Sequence, residues 1–345
     1  MISSRRSWHA SRRSSHPCVA RRRAGCASCS GSVTGPIRRA EATRRADLAE
    51  LAHIRTPLLE IAYEHSGPPT SLPVILLHGF PYDIRGYDDA VALINDAGFR
   101  TIVPYLRGYG PTRFLSDKTI RSGQQGALGQ DLLDLMDALR IEKAVVAGYD
   151  WGGRAACVVS ALWPERVHGL VSCTGYNIQD LTNATRPSAP EQEARQWYQY
   201  YFHTERGRNG LVQNRADISR QLWKMWSPSW PFDDATFARS APAFDNEDFV
   251  DVVVHSYMHR TASVAGDPLY DFVEERLTAQ PDISVPTIVL HGADDGIGVV
   301  TGSENHGRHF TGPYERRVLA GVGHNPPQES PQAFADAVLE LCGSS

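Results

Sequence analysis

Long apolar runs are missing from this chain: none approaches the roughly 18 consecutive residues that cross a bilayer, so no membrane-spanning segment is expected. Cysteine is sparse and unpatterned. Three of the six, Cys18, Cys26 and Cys29, fall near the N-terminus, and Cys26-Ala27-Ser28-Cys29 has C-x-x-C spacing without a second pair or a histidine at zinc spacing. Neither a structural metal nor a disulfide framework is implied. The other three, Cys157, Cys173 and Cys342, sit in apolar surroundings and suit reduced thiols in a reducing compartment. A basic face with interleaved aromatics is absent as well, which removes nucleic acid as an expected partner. No internal repeat is visible. What the 345 residues do contain is 41% hydrophobic side chains, enough to bury a sizeable core.

Charge is divided unevenly. The formal net charge is −4, yet residues 1–45 hold eleven arginines against the single acid Glu41, a contribution of +10 that leaves −14 for the remainder. Residues 1–49 are rich in Arg and Ser and lack apolar periodicity, so they are expected to be disordered. Their composition suits either a transit peptide or an over-extended start, and the two readings stay open. No apolar h-region follows Ser4-Arg5-Arg6, so secretion is not expected and a cytoplasmic location is.

From about residue 50 strand and helix patterns alternate. Leu58–Glu64, Pro73–Leu77, Arg100–Pro104, Lys143–Ala147, Val167–Cys173 and Pro286–Gly292 read as strands, with Tyr314–Leu319 as an edge strand. Asp88–Ala97, Gly126–Leu139 and Gly153–Leu162 read as helices. This alternation predicts an α/β fold, a mainly parallel sheet with helices on both faces. Between residues 176 and 270 the buried strands disappear and helical periodicity takes over, at Glu191–Glu205, Arg215–Trp226 and Glu247–His259. We therefore expect a core formed by residues 50–175 and 271–345, with a helical lid over residues 176–270.

Chemistry concentrates at Gly148-Tyr149-Asp150-Trp151-Gly152-Gly153, between a predicted strand and a predicted helix. The pattern is G-x-D-x-G, with a carboxylate where the strand-to-helix elbow G-x-S-x-G presents a nucleophilic serine. Flanking glycines permit the strained backbone that lifts such a side chain out of the turn. An aspartate at this place could also simply cap the helix. The elbow predicts an acid after a late strand and a histidine near the C-terminus, in that chain order. Asp294 and Asp295 follow the strand Pro286–Gly292, and His324 lies in the loop Ala320–Pro327. In this arrangement an acid orients the imidazole.

Taken with His78-Gly79-Phe80-Pro81, Arg107-Gly108-Tyr109-Gly110 and Gly321-Val322-Gly323-His324-Asn325, the body from residue 50 onward resembles the epoxide hydrolase branch of the α/β-hydrolases. The resemblance implies Asp150 as nucleophile and selects Asp295 over Asp294 as the acid partner of His324. It also implies two lid tyrosines that hold the epoxide oxygen. Tyr198 matches through Tyr198-Gln199-Tyr200-Tyr201-Phe202, and Tyr257 through Ser256-Tyr257-Met258-His259-Arg260. The implied reaction begins with attack by Asp150 on an epoxide carbon while the phenols protonate the leaving oxygen. Water activated by His324 and Asp295 then hydrolyses the ester, with the backbone N–H groups of Phe80 and Trp151 holding the oxyanion.

The implied substrates are a small apolar epoxide and water, with no metal or organic cofactor; a homodimer is compatible with this class. Trp197, Tyr200, Tyr201, Trp223, Trp226 and Trp230 suggest an apolar pocket. His78 is expected to shape its loop, and Arg107 to form a structural ion pair. A haloalkane dehalogenase would use the same aspartate and Trp151, but that family generally places a side-chain N–H donor where Phe80 stands. A fluoroacetate dehalogenase would want an arginine in place of Trp151. A non-catalytic ligand-binding protein on the same fold is the remaining alternative.

Overall fold

Strands buried on both faces need covering helices, and the fold is built from that requirement. The computed structural model describes residues 50–343; the predicted disordered head, residues 1–49, and its three cysteines lie outside them. The strands are β1 Glu50–Arg55, β2 Leu59–Ser66, β3 Pro73–Leu77, β4 Arg100–Pro104, β5 Arg113–Phe114, β6 Ala144–Gly148, β7 Val167–Cys173, β8 Thr287–Gly292 and β9 Tyr314–Leu319. They form one sheet in the order β1-β2-β4-β3-β6-β7-β8-β9, with β5 paired to β2. Every pairing from β4 to β9 is parallel, and the pairings of β2 with β1, β4 and β5 are antiparallel. β6, Ala-Val-Val-Ala-Gly, is buried at every position, as a central parallel strand of small and β-branched residues should be.

The helices α1 Asp88–Asp96, α2 Gln125–Ala138, α3 Asp150–Leu162, α10 Pro326–Glu329 and α11 Pro331–Gly343 cover the sheet, α1 packing with α10 and α11, and α2 with α3. Between β7 and β8 no strand occurs among the described residues. This stretch holds α4 Pro190–Arg195, α5 Trp197–Phe202, α6 Glu205–Trp226, α7 Asp234–Ser240, α8 Phe249–Arg260 and α9 Asp271–Thr278. The predicted continuous helix Glu191–Glu205 is interrupted at Gln196, and α6 bends at Asn214, whose φ of −130° is not helical. α5, α6 and α8 pack on one another, and the Trp223 indole N–H donates to Pro81 O at 2.8 Å, tying α6 to the loop after β3. No helix among the described residues is long and apolar enough to cross a membrane.

Candidate active site

The backbone turns sharply from β6 into α3, and Asp150 sits at the turn with φ +49°, a conformation costly for a residue with a Cβ. Tight packing holds it there. A Cβ on Gly152 would lie 1.9 Å from Leu77 O, and one on Gly79 would lie 2.4 Å from the Asp150 Cβ, so only hydrogen fits at either place. The carboxylate does not cap α3, whose N-cap is Tyr149 without a side-chain bond. Instead Asp150 Oδ1 accepts from Phe80 N at 2.8 Å, across from the β3 loop.

The C-terminal loops bring the other members of the set to the same point. His324 Nδ1 meets Asp295 Oδ2 at 2.9 Å, and His324 Nε2 lies 3.8 Å from Asp150 Oδ2. Asp295 Oδ1 is held by the N–H groups of Ile297 and Gly298, at 2.8 and 2.9 Å. Asp294 points elsewhere and accepts from the Ser229 hydroxyl. Two residues that sequence reasoning missed fix the histidine loop. Ser227 Oγ accepts from His324 N at 3.1 Å and donates to Glu329 at 2.6 Å, while Glu329 accepts from Gly323 N and Asn325 N.

Aromatic side chains close the site. Phe80 lies among Trp151, Tyr198, Phe202, Trp226, Phe249 and Tyr257, with the Tyr257 ring centroid 5.3 Å away. The Tyr198 and Tyr257 rings meet edge to face at 5.2 Å. Both phenols feel the charge of Asp150. The Tyr198 hydroxyl accepts from Gln199 Nε2 at 3.1 Å, whereas the buried Tyr257 hydroxyl and Trp151 indole N–H have no hydrogen-bond partner among the described residues. Trp151 occupies the first turn of α3, where a backbone N–H lacks an intrahelical acceptor.

Two supporting expectations are met. Buried His78 accepts from Leu106 N at its Nε2 and faces Gly79 O through Nδ1, and burial pushes its pKa down to about 4, leaving a neutral ring. Arg107 grips both oxygens of Asp131 at 2.6 Å and reaches Ser122 O and the Tyr270 hydroxyl.

A match to the sequence profile of the alpha/beta hydrolase fold covers residues 73–331. The chain belongs to this family. Among similar proteins, epoxide hydrolase A of Mycobacterium tuberculosis is 24% identical over 301 residues, covering 80% of this chain and 92% of that protein. A Klebsiella pneumoniae crystal structure assigned provisionally to the epoxide hydrolases is 47% identical, with a TM-score of 0.83, over 85% of this chain and 97% of that one. A Thermogutta terrifontis esterase superposes with a TM-score of 0.60 at 24% identity, covering 85% and 97%. The fold alone therefore does not separate these chemistries.

Charge in this α/β-hydrolase site is unevenly matched. Burial opposes ionisation of Asp150, but His324 at 3.8 Å, the charge of Arg154 and the Phe80 N–H outweigh it and hold the carboxyl below its ordinary value. Burial likewise opposes a charged His324, yet Asp295 and Asp150 raise it to about 10. The charges beside it thus favour the protonated imidazole. Burial raises the Tyr198 phenol to about 12, so it keeps its proton at neutral pH.

Next to Asp150, Tyr198 and His324 is a cavity of about 370 Å³, and one of about 360 Å³ adjoins it through shared walls at Arg154, Asn177, Gln196, Gln199 and Arg260. The expectation of an aromatic, apolar lining is not met. Of the six lid aromatics singled out, only Tyr200 reaches either cavity; Trp223 and Trp226 are buried in packing, and polar side chains predominate along the walls.

Proposed function

We propose that this enzyme opens epoxides to vicinal diols through an ester on Asp150. The observation that best supports the reading is an elbow carboxylate with one oxygen on the Phe80 N–H and the other facing His324. Asp150 Oδ2 attacks an epoxide carbon, the C–O bond breaks, and Tyr198 and Tyr257 supply a proton to the leaving oxygen. Ester formation discharges Asp150, which removes one of the two anions that keep His324 protonated. His324 then gives up its proton, restoring the phenol, and becomes a base. It deprotonates a water that adds to the Asp150 carbonyl carbon, and the Phe80 and Trp151 N–H groups hold the oxyanion. Collapse frees the diol and regenerates the ion pair. Helices α4–α8 act here as a cap over residues 176–270 that keeps bulk water from the ester.

A halide-releasing reading has one observation in its favour, the unpartnered Trp151 indole N–H. Phe80 offers no second side-chain donor beside it. Incubation with styrene oxide and with 1-bromobutane, following diol and bromide separately, distinguishes the two: diol without bromide is expected. Bromide without diol would transfer the same nucleophile to dehalogenation.

A further inference from the structure

Arg154 is the only charged residue in the helix segment Trp151–Leu162. It lies four residues on from Asp150, lines the same cavity, and its charge acts on the Asp150 carboxyl. Its side chain is 93% buried by the residue's 7% exposure, and it makes no hydrogen bond or ion pair among the described residues; its Nε is fully enclosed without an acceptor. Arg260, at the end of α8, is half-buried, lines both cavities with Arg154, and likewise has no carboxylate partner among the described residues.

Nearby acids are committed elsewhere. Glu274 accepts from Gln124, Gln125 and the Gly126 N–H. Glu193, on the outer cavity, accepts from the Tyr200 hydroxyl and Ser188 N. Asp180, also on the outer cavity, accepts from Asn183, and Asp150, whose charge reaches Arg154, is held by Phe80 N and faces His324 as the proposed nucleophile. Leaving a buried guanidinium unpaired is destabilising, and a second cation at the same wall adds repulsion. Such an arrangement is relieved by an anion entering the cavity. A planar carboxylate matches the guanidinium fork in shape and charge.

We propose that the substrate is an epoxide bearing a carboxylate on or close to the oxirane ring, held by Arg154 with Arg260 at the cavity mouth. The inference rests on the proposed epoxide opening and names its substrate class. Asp150 and Arg154 line one cavity, so a carboxylate close to the carbon that Asp150 attacks faces the wall that carries Arg154. The carboxylate keeps its charge through both steps and takes no part in bond exchange.

The test compares 3-phenylglycidate with its primary amide, the same epoxide without the negative charge. Wild-type kcat/KM is expected to favour the acid by at least about tenfold, the worth of one charge-assisted hydrogen bond. Arg154→Gln is expected to lower the acid-to-amide ratio by a similar factor, chiefly through KM, with Arg154→Lys recovering part of it; Arg260→Gln lowers it less. The wild-type comparison does not depend on any variant folding. An amide opened as well as the acid, or a ratio unmoved in Arg154→Gln, overturns the carboxylate assignment while leaving epoxide opening intact. No diol from either compound while styrene oxide is opened overturns this inference alone; no diol from any of the three overturns epoxide opening, and with it this inference.

Discussion

At the residue scale the account turns on donors and acceptors placed around one carboxylate. If Tyr198 and Tyr257 supply the proton to the leaving oxygen, removing either hydroxyl should slow ester formation and leave its hydrolysis unaffected. Tyr198→Phe and Tyr257→Phe are each expected to lower the single-turnover rate of epoxide loss by about a hundredfold, the usual worth of a positioned acid. Stopped-flow measurement of ester formation checks this; a fall confined to the later step would count against the assignment. The chain order of Asp150, Asp295 and His324 was legible because an elbow predicts its partners. Arg154 was not, since an arginine in a helix ordinarily reads as surface. The signal available was its isolation among Trp151–Leu162, otherwise free of charge and buried but for Ala161.

At the scale of elements, apolar strands declared themselves. Pro73–Leu77, Arg100–Pro104 and Val167–Cys173 coincide with β3, β4 and β7 because buried parallel strands have little sequence freedom. β1 escaped notice. Its Glu-Leu-Ala-His-Ile-Arg is mixed in polarity, with Leu51, His53 and Arg55 exposed and Ala52 and Ile54 half-buried, and it is a strand through its antiparallel register with β2. The breaks at Gln196 and Asn214 leave no strong trace in propensity either. The link between α2 and the Arg107 loop gives a stability prediction. Asp131→Ala strands the fully buried Arg107 guanidinium and should cost about 3–5 kcal/mol, measured as a lower urea midpoint. An unchanged midpoint would mean that the pair contributes nothing net.

For the whole molecule, the ion pair at the site couples folding to pH. His324 is raised in the folded state from 6.5 to about 10, so its contribution is fully present below pH 6.5 and is lost as pH rises through about 10. Asp150 is depressed, so its contribution is present above its ordinary value of 3.8 and is lost as pH falls through the lowered one. Urea unfolding from pH 6 to pH 10 should therefore show wild-type stability declining, with a flatter profile for His324→Gln. Parallel profiles would deny the imidazolium its place between the carboxylates.

The central claim, transient bonding of substrate to Asp150, is tested most directly by a single turnover in oxygen-18 water with enzyme in excess over styrene oxide. The account predicts an unlabelled diol, with the new oxygen appearing in the peptide that contains Asp150. Label in the diol and none in that peptide would mean that water attacks the epoxide directly, and would contradict the ester.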